Sequence, residues 1–514
     1  MKKLFSLLLA SALLVSSLAG CGGQSGSSSE SDSSAAGTDS SATTSEVSTN
    51  SEDWPVVSTP VVPTQPVTDE KMVEDALNEY LVSIDAGVQC DVVPIEFGNL
   101  STTMTLMLTS NDDPIDVFSY NFFSNLTSVV ANEQVVALDD YLTQYPDLVD
   151  VIGEAYLPGG QVDGVQYALP TVGSYGTMWT YVLRRDIAET IGVDDRDGEM
   201  INMQEMTDIM LQAKEAYPEL IFMPIATDAN QTLYDTLGDY SLTGVLMNCG
   251  VDNTDVVNFY ETEEYATYLQ YAKQWEEAGL LLDDPLNQNL DKSYLKTGVA
   301  GGALSNGFNV ENVRMDMAST YNFDAVVFAL NDPTATVGST AGAGYCISTV
   351  SNNPDAAMKL LYLMYTDEQV MRYLAQGIEN VHYVVDENGC SWYPEGESQT
   401  SLGWGTGAQW YFPNQTLCIP FQTDDPNYYE EMMETNETCE KSLAIGFTFN
   451  NEPVYNQYTA VTNVVDEYAN ALNYAQVDVD EMLPQFLEEL KAAGIDDVIA
   501  EKQAQLDAFL ASEE

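Results

Sequence analysis

The sequence is poor in positive charge. Its 514 residues include 16 Lys and Arg against 80 Asp and Glu, a formal net charge of −64, with a single histidine, His382. So few cations cannot build the basic face that counterion-releasing nucleic-acid binding requires, so no nucleic-acid partner is expected. Polyanions are disfavoured at long range for the same reason. One histidine excludes a multi-His zinc centre and leaves only His382 for any Ser-His-Asp triad. Seven cysteines in this length do not make a disulfide scaffold, and no CxxC or metal-ligand spacing occurs. No G-x-S-x-G, P-loop or dinucleotide fingerprint stands out, so neither metal nor cofactor is expected. Past the N-terminal segment no apolar run is long enough to span a bilayer.

What is present belongs to a folded chain. Apolar residues make up 45% and aromatics 10%, with 30 Tyr, so the high charge does not mean disorder. The length suggests two or three domains. The excess acid reads as a solvated surface.

The N-terminus reads as an export signal. Lys2 and Lys3 precede an apolar run at 4–14, which ends in Leu18-Ala19-Gly20-Cys21. That tetrad resembles the lipobox of bacterial lipoproteins, which implies lipidation (palmitate-type acylation) of Cys21 and residence on the outer face of the cytoplasmic membrane, held by the lipid anchor alone. Residues 1–20 are then the signal peptide. Residues 21–67, rich in Ser, Thr and acid and later in Pro and Val, are expected to be a disordered tether, with the folded body beginning at 68.

The body alternates strand and helix signals. Helical spacing appears at 72–84, 205–217, 262–277, 354–365, 367–376, 460–472, 479–492 and 495–510, with Gly494 as a C-cap. Strand signals appear at 90–97, 115–119, 177–183, 324–330 and 344–349. This alternation favours α/β layers. Cys90, Cys249, Cys346, Cys390, Cys418 and Cys439 could pair in several ways, with isolated buried thiols the default.

Several phrases occur in a telling order. They are Tyr-Ala-Leu-Pro at 167–170, Met-Trp-Thr-Tyr-Val-Leu-Arg-Arg-Asp at 178–186, and Gly-Val-Ala-Gly-Gly-Ala-Leu-Ser-Asn-Gly-Phe at 298–308. Gly-Tyr-Cys-Ile-Ser-Thr at 344–349, Asn-Pro-Asp-Ala-Ala at 353–357 and Tyr-Thr-Asp-Glu-Gln at 365–369 follow. Together they resemble the sugar-binding type (family 1) of extracellular solute-binding proteins of ABC importers. The phrases at 377–383, 410–415, 443–449 and 494–506 resemble the LipO-like lipoprotein subgroup with its C-terminal domain, although Pro413 stands where that subgroup usually has Gly. The resemblance implies a two-lobed, periplasmic-binding-protein-like α/β fold with hinge crossovers and a helical C-terminal extension. The expected division is 68–172 for the first part of lobe 1 and 173–322 for the first part of lobe 2. A return to lobe 1 at 323–350 follows, and then a C-terminal region at 351–514 packing on lobe 2. Monomer is the implied state, with ABC permease subunits as partners.

A carbohydrate site needs aromatic platforms and Asn, Asp, Gln or Tyr partners for hydroxyls. Tyr120, Asn121 and Phe122 follow a buried strand, where open α/β sheets place ligands. Tyr120, Asn121, Tyr175, Trp179, Trp404 and Trp410 are the candidate ligand contacts, to which the resemblance adds Asn306 and Phe308 as an implied pair. Core packing is the alternative for Tyr120 and the favoured one for Trp179; Trp404 and Trp410 are either cleft lids or an interface with the C-terminal helices. His382 reads as structural and Asp194-Asp195-Arg196-Asp197-Gly198 as a solvated turn. The expected function is therefore a non-enzymatic, lipid-anchored receptor that captures a carbohydrate, favouring an oligosaccharide. A receptor for a peptide or cationic solute on the same scaffold is the alternative. A surface glycosidase would need a carboxylate dyad that cannot be picked out among 80 acids.

Overall fold

The computed structural model describes residues 51–63, 67–110, 114–239, 242–288, 290–405 and 409–513, so the expected signal peptide and Cys21 lie outside the described residues. In chain order the strands that build the frame are β1 (Val56–Val61), β2 (Gln89–Pro94), β3 (Val117–Ser119), β4 (Leu169–Pro170), β5 (Met178–Arg184), β6 (Gly302–Gly307), β7 (Ala325–Ala329), β8 (Thr334–Ala335), β9 (Gly344–Ile347) and β10 (Glu440–Lys441). The main helices are α1 (Glu70–Ser83), α2 (Met203–Ala216), α3 (Glu263–Glu277), α4 (Val310–Tyr321), α5 (Pro354–Thr366), α6 (Glu368–Ala375), α7 (Tyr428–Thr438), α8 (Tyr455–Asn473), α9 (Val479–Ala493) and α10 (Ile495–Glu513).

Two cores divide these elements. In the first lobe β1 runs parallel to β2, and β9 lies antiparallel between β3 and β4. Val57, Val61, Val92, Val117 and Ile347 meet Val73, Leu77 and Leu81 of α1 and Leu360, Leu361, Val370 and Leu374 of α5 and α6. In the second lobe β5 is central, antiparallel to β6 and β7. Side chains alternate across a strand, so Tyr181 and Leu183 face the core shared with α2 and α3, while Val182 faces Val313 and Met317 of α4.

Three stretches of chain cross between the lobes side by side. Thr177 and Thr334 exchange backbone hydrogen bonds of 3.1 and 3.0 Å, and β8 pairs parallel with β10. Asn436 of α7 braces the first crossing. Its Oδ1 accepts from the backbone N–H of Tyr175 at 2.8 Å and of Gly176 at 3.1 Å, and its Nδ2 donates to the carbonyl of Gly173 at 2.7 Å. After the third crossing, α8, α9 and α10 dock on the second lobe. There Lys502, fully buried, donates to Asp239 at 2.8 Å and to the carbonyl of Gly244 at 3.1 Å.

Three expected boundaries change. The tether does not reach 67, because β1 is a core strand. Pro60 harms no pairing in it: Ser58 turns its backbone toward Asp116, so Pro60, two residues on, also faces away from β2. The chain does not return to the first lobe at 323, since β7 pairs with β5 through Val326 and Phe328. Nor does all of 351–514 pack on the second lobe. The apolar faces of α5 and α6 complete the first core, and the helices past β10 supply the C-terminal part of the second core. The six cysteines named above are free thiols, five of them buried and Cys439 half-buried.

Candidate functional site

A shelf of aromatic rings stands at the carboxyl end of β3. Phe97, Phe122 and Trp410 are 61%, 46% and 52% exposed. Phe122 is the middle ring, with its centroid 5.3 Å from Phe97 and 5.6 Å from Trp410, both edge-on. Beneath it Tyr411 lies buried and stacked at 6.2 Å. Phe122 has φ of +68°, a left-handed conformation that costs a non-glycine residue roughly 1–2 kcal/mol. A bulky ring held there in solvent is a feature of sites rather than of cores. The segment after Trp410 fixes the shelf beside the hinge: the Val172 N–H donates to the Pro413 carbonyl at 2.7 Å, and the Gln415 N–H donates back to Val172 at 3.2 Å.

A groove of about 640 Å³ opens beside the first crossing, at Met178. Met178, Asn309, Val310 and Glu311 of the second lobe form one wall, and Glu431, Glu434, Thr435 and Thr438 of α7 form the other. Asn309 spans it, donating from Nδ2 to Glu431 at 3.0 Å, while Phe308 packs edge-on against Tyr428 at 5.1 Å. The apolar rings of the shelf suit C–H faces and the polar lining of the groove suits hydroxyls.

Of the expected contacts, Trp410 joins the shelf and Asn121 stands half-buried within its turn. Asn306 is exposed at the end of β6, opposite Trp179 in the register. Trp179 is half-buried against the second core, and its backbone N–H donates to Asn331 Oδ1 at 2.7 Å, so it packs more than it projects. Tyr120, Tyr175, Phe308 and Trp404 are at most 2% exposed and are corrected to core residues. Tyr120 donates to the carbonyl of Ala341 at 2.9 Å, and Tyr175 packs on Tyr156 at 4.1 Å, where burial pushes its hydroxyl pKa far up. Phe308 is shielded by Tyr428, and Trp404 sits against Gly377 and His382.

Sequence reasoning missed Phe97, Asn309, Glu431 and Asn436. The first falls within the strand signal at 90–97, but the strand ends at Pro94 and Phe97 opens a 3-10 turn; nothing local marks α7 as the second wall of a groove. Phe122 was seen only as a neighbour of Tyr120; its exposure follows from a turn conformation that no motif announces. His382 is structural, as expected: its Nδ1 accepts from the Ile378 N–H at 2.9 Å and its Nε2 meets Asp69 at 3.3 Å. Burial holds its pKa below the usual value, the Asp69 carboxylate opposing that shift. Among the described residues no cluster of His, Cys, Asp or Glu could hold a metal ion, and no helix is long and apolar enough to cross a membrane.

Known proteins share this fold. A carbohydrate ABC transporter substrate-binding protein of Streptococcus pneumoniae serotype 4 is 23% identical over 478 residues, covering 90% of this chain and 92% of its own. The crystal structure of the N-glycan transport solute-binding protein NgtS from Streptococcus pneumoniae superposes with a TM-score of 0.75 at 21% identity, covering 90% of this chain and all of that one. An HMO-binding ABC-transporter-associated solute-binding protein from Bifidobacterium longum infantis gives a TM-score of 0.61 at 16% identity, covering 89% and 99%. A domain of unknown function, DUF3502, matches residues 443–511, the stretch that begins just past the third crossing. The bacterial extracellular solute-binding protein model matches residues 73–371, more than half the chain, so this protein belongs to that family.

Proposed function

We propose that this protein is the receptor of an ABC importer that captures an oligosaccharide between its lobes and hands it to a membrane permease unchanged. The observation that carries the reading is the shelf of Phe97, Phe122 and Trp410 at the carboxyl end of β3, beside the hinge. Three rings in a row offer more than one stacking position, which suits a chain of sugars better than one sugar. Polar groups of the groove, Asn309 and Thr435 among them, would meet hydroxyls as the lobes close. The relatives named for carbohydrate and N-glycan transport support the same substrate class. Anchoring through a lipidated Cys21 completes the proposal.

A thermal-shift screen of the chain from residue 21 on, with Cys21→Ser, tests the reading against mono- and oligosaccharides, peptides and polyamines. Ligand at about 100 times its Kd adds roughly 2.7 kcal/mol. A shift confined to oligosaccharides is expected; a shift with peptides or polyamines alone would sink the proposal. Labelled palmitate should enter the full chain in a lipoprotein-processing bacterium and be lost with Cys21→Ser. Incorporation that survives the substitution would contradict the anchor.

A further inference from the structure

We infer that the interlobe groove selects neutral oligosaccharides and rejects those that carry a carboxylate or sulfate, with Glu431 and Glu434 as the selecting residues. The inference deepens the oligosaccharide reading above and rests on it. Three of the eight groove residues are glutamates and none is Lys or Arg. Glu311 is partnered, since Arg314 donates to its carboxylate. Among the described residues, neither Glu431 nor Glu434 forms an ion pair. Glu431 is held by the amide of Asn309, a neutral donor that leaves its charge uncancelled.

The one feature in the groove that favours anions is the start of α4. Its N-terminus carries about half a positive charge. That end is already answered. Asn309 caps it, its side chain accepting from the Asn312 N–H at 2.7 Å, and the carboxylates of Glu311 in the first turn and Glu431 across the groove lie beside it. The local balance is therefore negative. The chain around it, at −64, supplies no compensating field.

Two carboxylates about 7 Å from an acidic group in a watery environment weaken its binding about sevenfold, and that is the size of effect expected of Glu431 and Glu434. In 1 M salt, where the screening length is about 3 Å, most of that penalty should vanish. Hydroxyls suffer no such penalty, because carboxylate oxygens accept from them.

Calorimetry on the chain from residue 21 on, with Cys21→Ser, tests this. The probes are neutral mannose-, N-acetylglucosamine- and lactose-based oligosaccharides, each beside its counterpart carrying one sialic or uronic acid. A neutral probe should bind at least about sevenfold more tightly than its acidic counterpart at low salt, with the ratio falling toward one in 1 M NaCl. Glu431→Gln with Glu434→Gln should lower the ratio of neutral to acidic affinity in the same direction. Circular dichroism checks that the double variant folds, and the salt series stands without it. Equal affinities at low salt would overturn the inference, as would a ratio that the folded double variant leaves unchanged. Binding by none of the neutral probes would instead retract the oligosaccharide reading, and this inference with it.

Discussion

At the scale of single residues, the site is told from the core by exposure rather than by residue type. Tyr120, Phe122 and Trp410 are all aromatic and all lie near one strand end, yet Tyr120 is 2% exposed and Trp410 52%. Composition and strand ends drew attention to the turn at 120–122, but not to which of its rings faces outward, because the left-handed φ of Phe122 leaves no mark in a sequence without homologues. If a sugar covers roughly 60 Å² of the Trp410 ring, about 25 cal/mol per Å² gives some 1.5 kcal/mol. Trp410→Ala should therefore weaken oligosaccharide binding about tenfold by titration while leaving the melting temperature of the free protein nearly unchanged; an unchanged Kd would remove Trp410 from the site. Trp404→Ala should do the opposite, costing about 3–5 kcal/mol of stability because the ring is fully buried. His382 gives a pH test. Burial depresses its folded pKa below the ordinary value of 6.5, so the unfolded chain takes the proton first. Its contribution is complete above 6.5 and is lost as pH falls below that through the folded value. The stability gap between wild type and His382→Gln, followed by denaturant titration, should shrink on acidification from pH 7.5 to 5.5. A gap that widens would reverse the assignment.

At the scale of elements, periodicity located most helices to within a few residues. The spacing at 479–492 and the glycine after it match α9 and its left-handed cap at Gly494, φ +98°. Elements whose signals were mixed were missed. β1 carries Pro60, and α7, running through Glu430, Glu431, Met432, Met433 and Glu434, has only a thin apolar stripe. Both matter: β1 opens the first core, and α7 braces the hinge and walls the groove. Crossovers are also invisible locally, since they are defined by pairing between segments far apart in the chain, such as Thr334 with Glu440. The docking of α10 has its own test. Lys502 is buried against Asp239, over the face of Phe449 at 4.8 Å, and burial lowers its pKa against the pull of Asp239. Removing one partner of a buried pair costs about 3–5 kcal/mol, whereas replacing both with apolar groups can be close to neutral. Lys502→Met should thus lower the unfolding midpoint sharply and expose the last helix to protease, and Lys502→Met with Asp239→Leu should recover part of the loss. Full resistance of the single variant would show that the ion pair does not hold the C-terminal helices.

At the scale of the whole molecule, two cores joined by three adjacent crossings make a hinge, and both the shelf and the groove adjoin its first crossing, the shelf through Val172 and the groove through Met178. The Asn309–Glu431 and Phe308–Tyr428 contacts join the second lobe to α7, which is tied to the first crossing through Asn436. The order of phrases along the chain resembled the right family and hence the two-lobed plan; the placement of each wall required the folded chain. The central claim is that the interlobe site holds an oligosaccharide and releases it intact. The most direct measurement is calorimetric titration of oligosaccharides into the chain from residue 21 on (Cys21→Ser), followed by chromatography of the sugar recovered after prolonged incubation. The account predicts saturable one-to-one binding, weakened about tenfold by Trp410→Ala, with the sugar unchanged in length. Binding that ignores Trp410, or a recovered sugar shortened by hydrolysis, would contradict it.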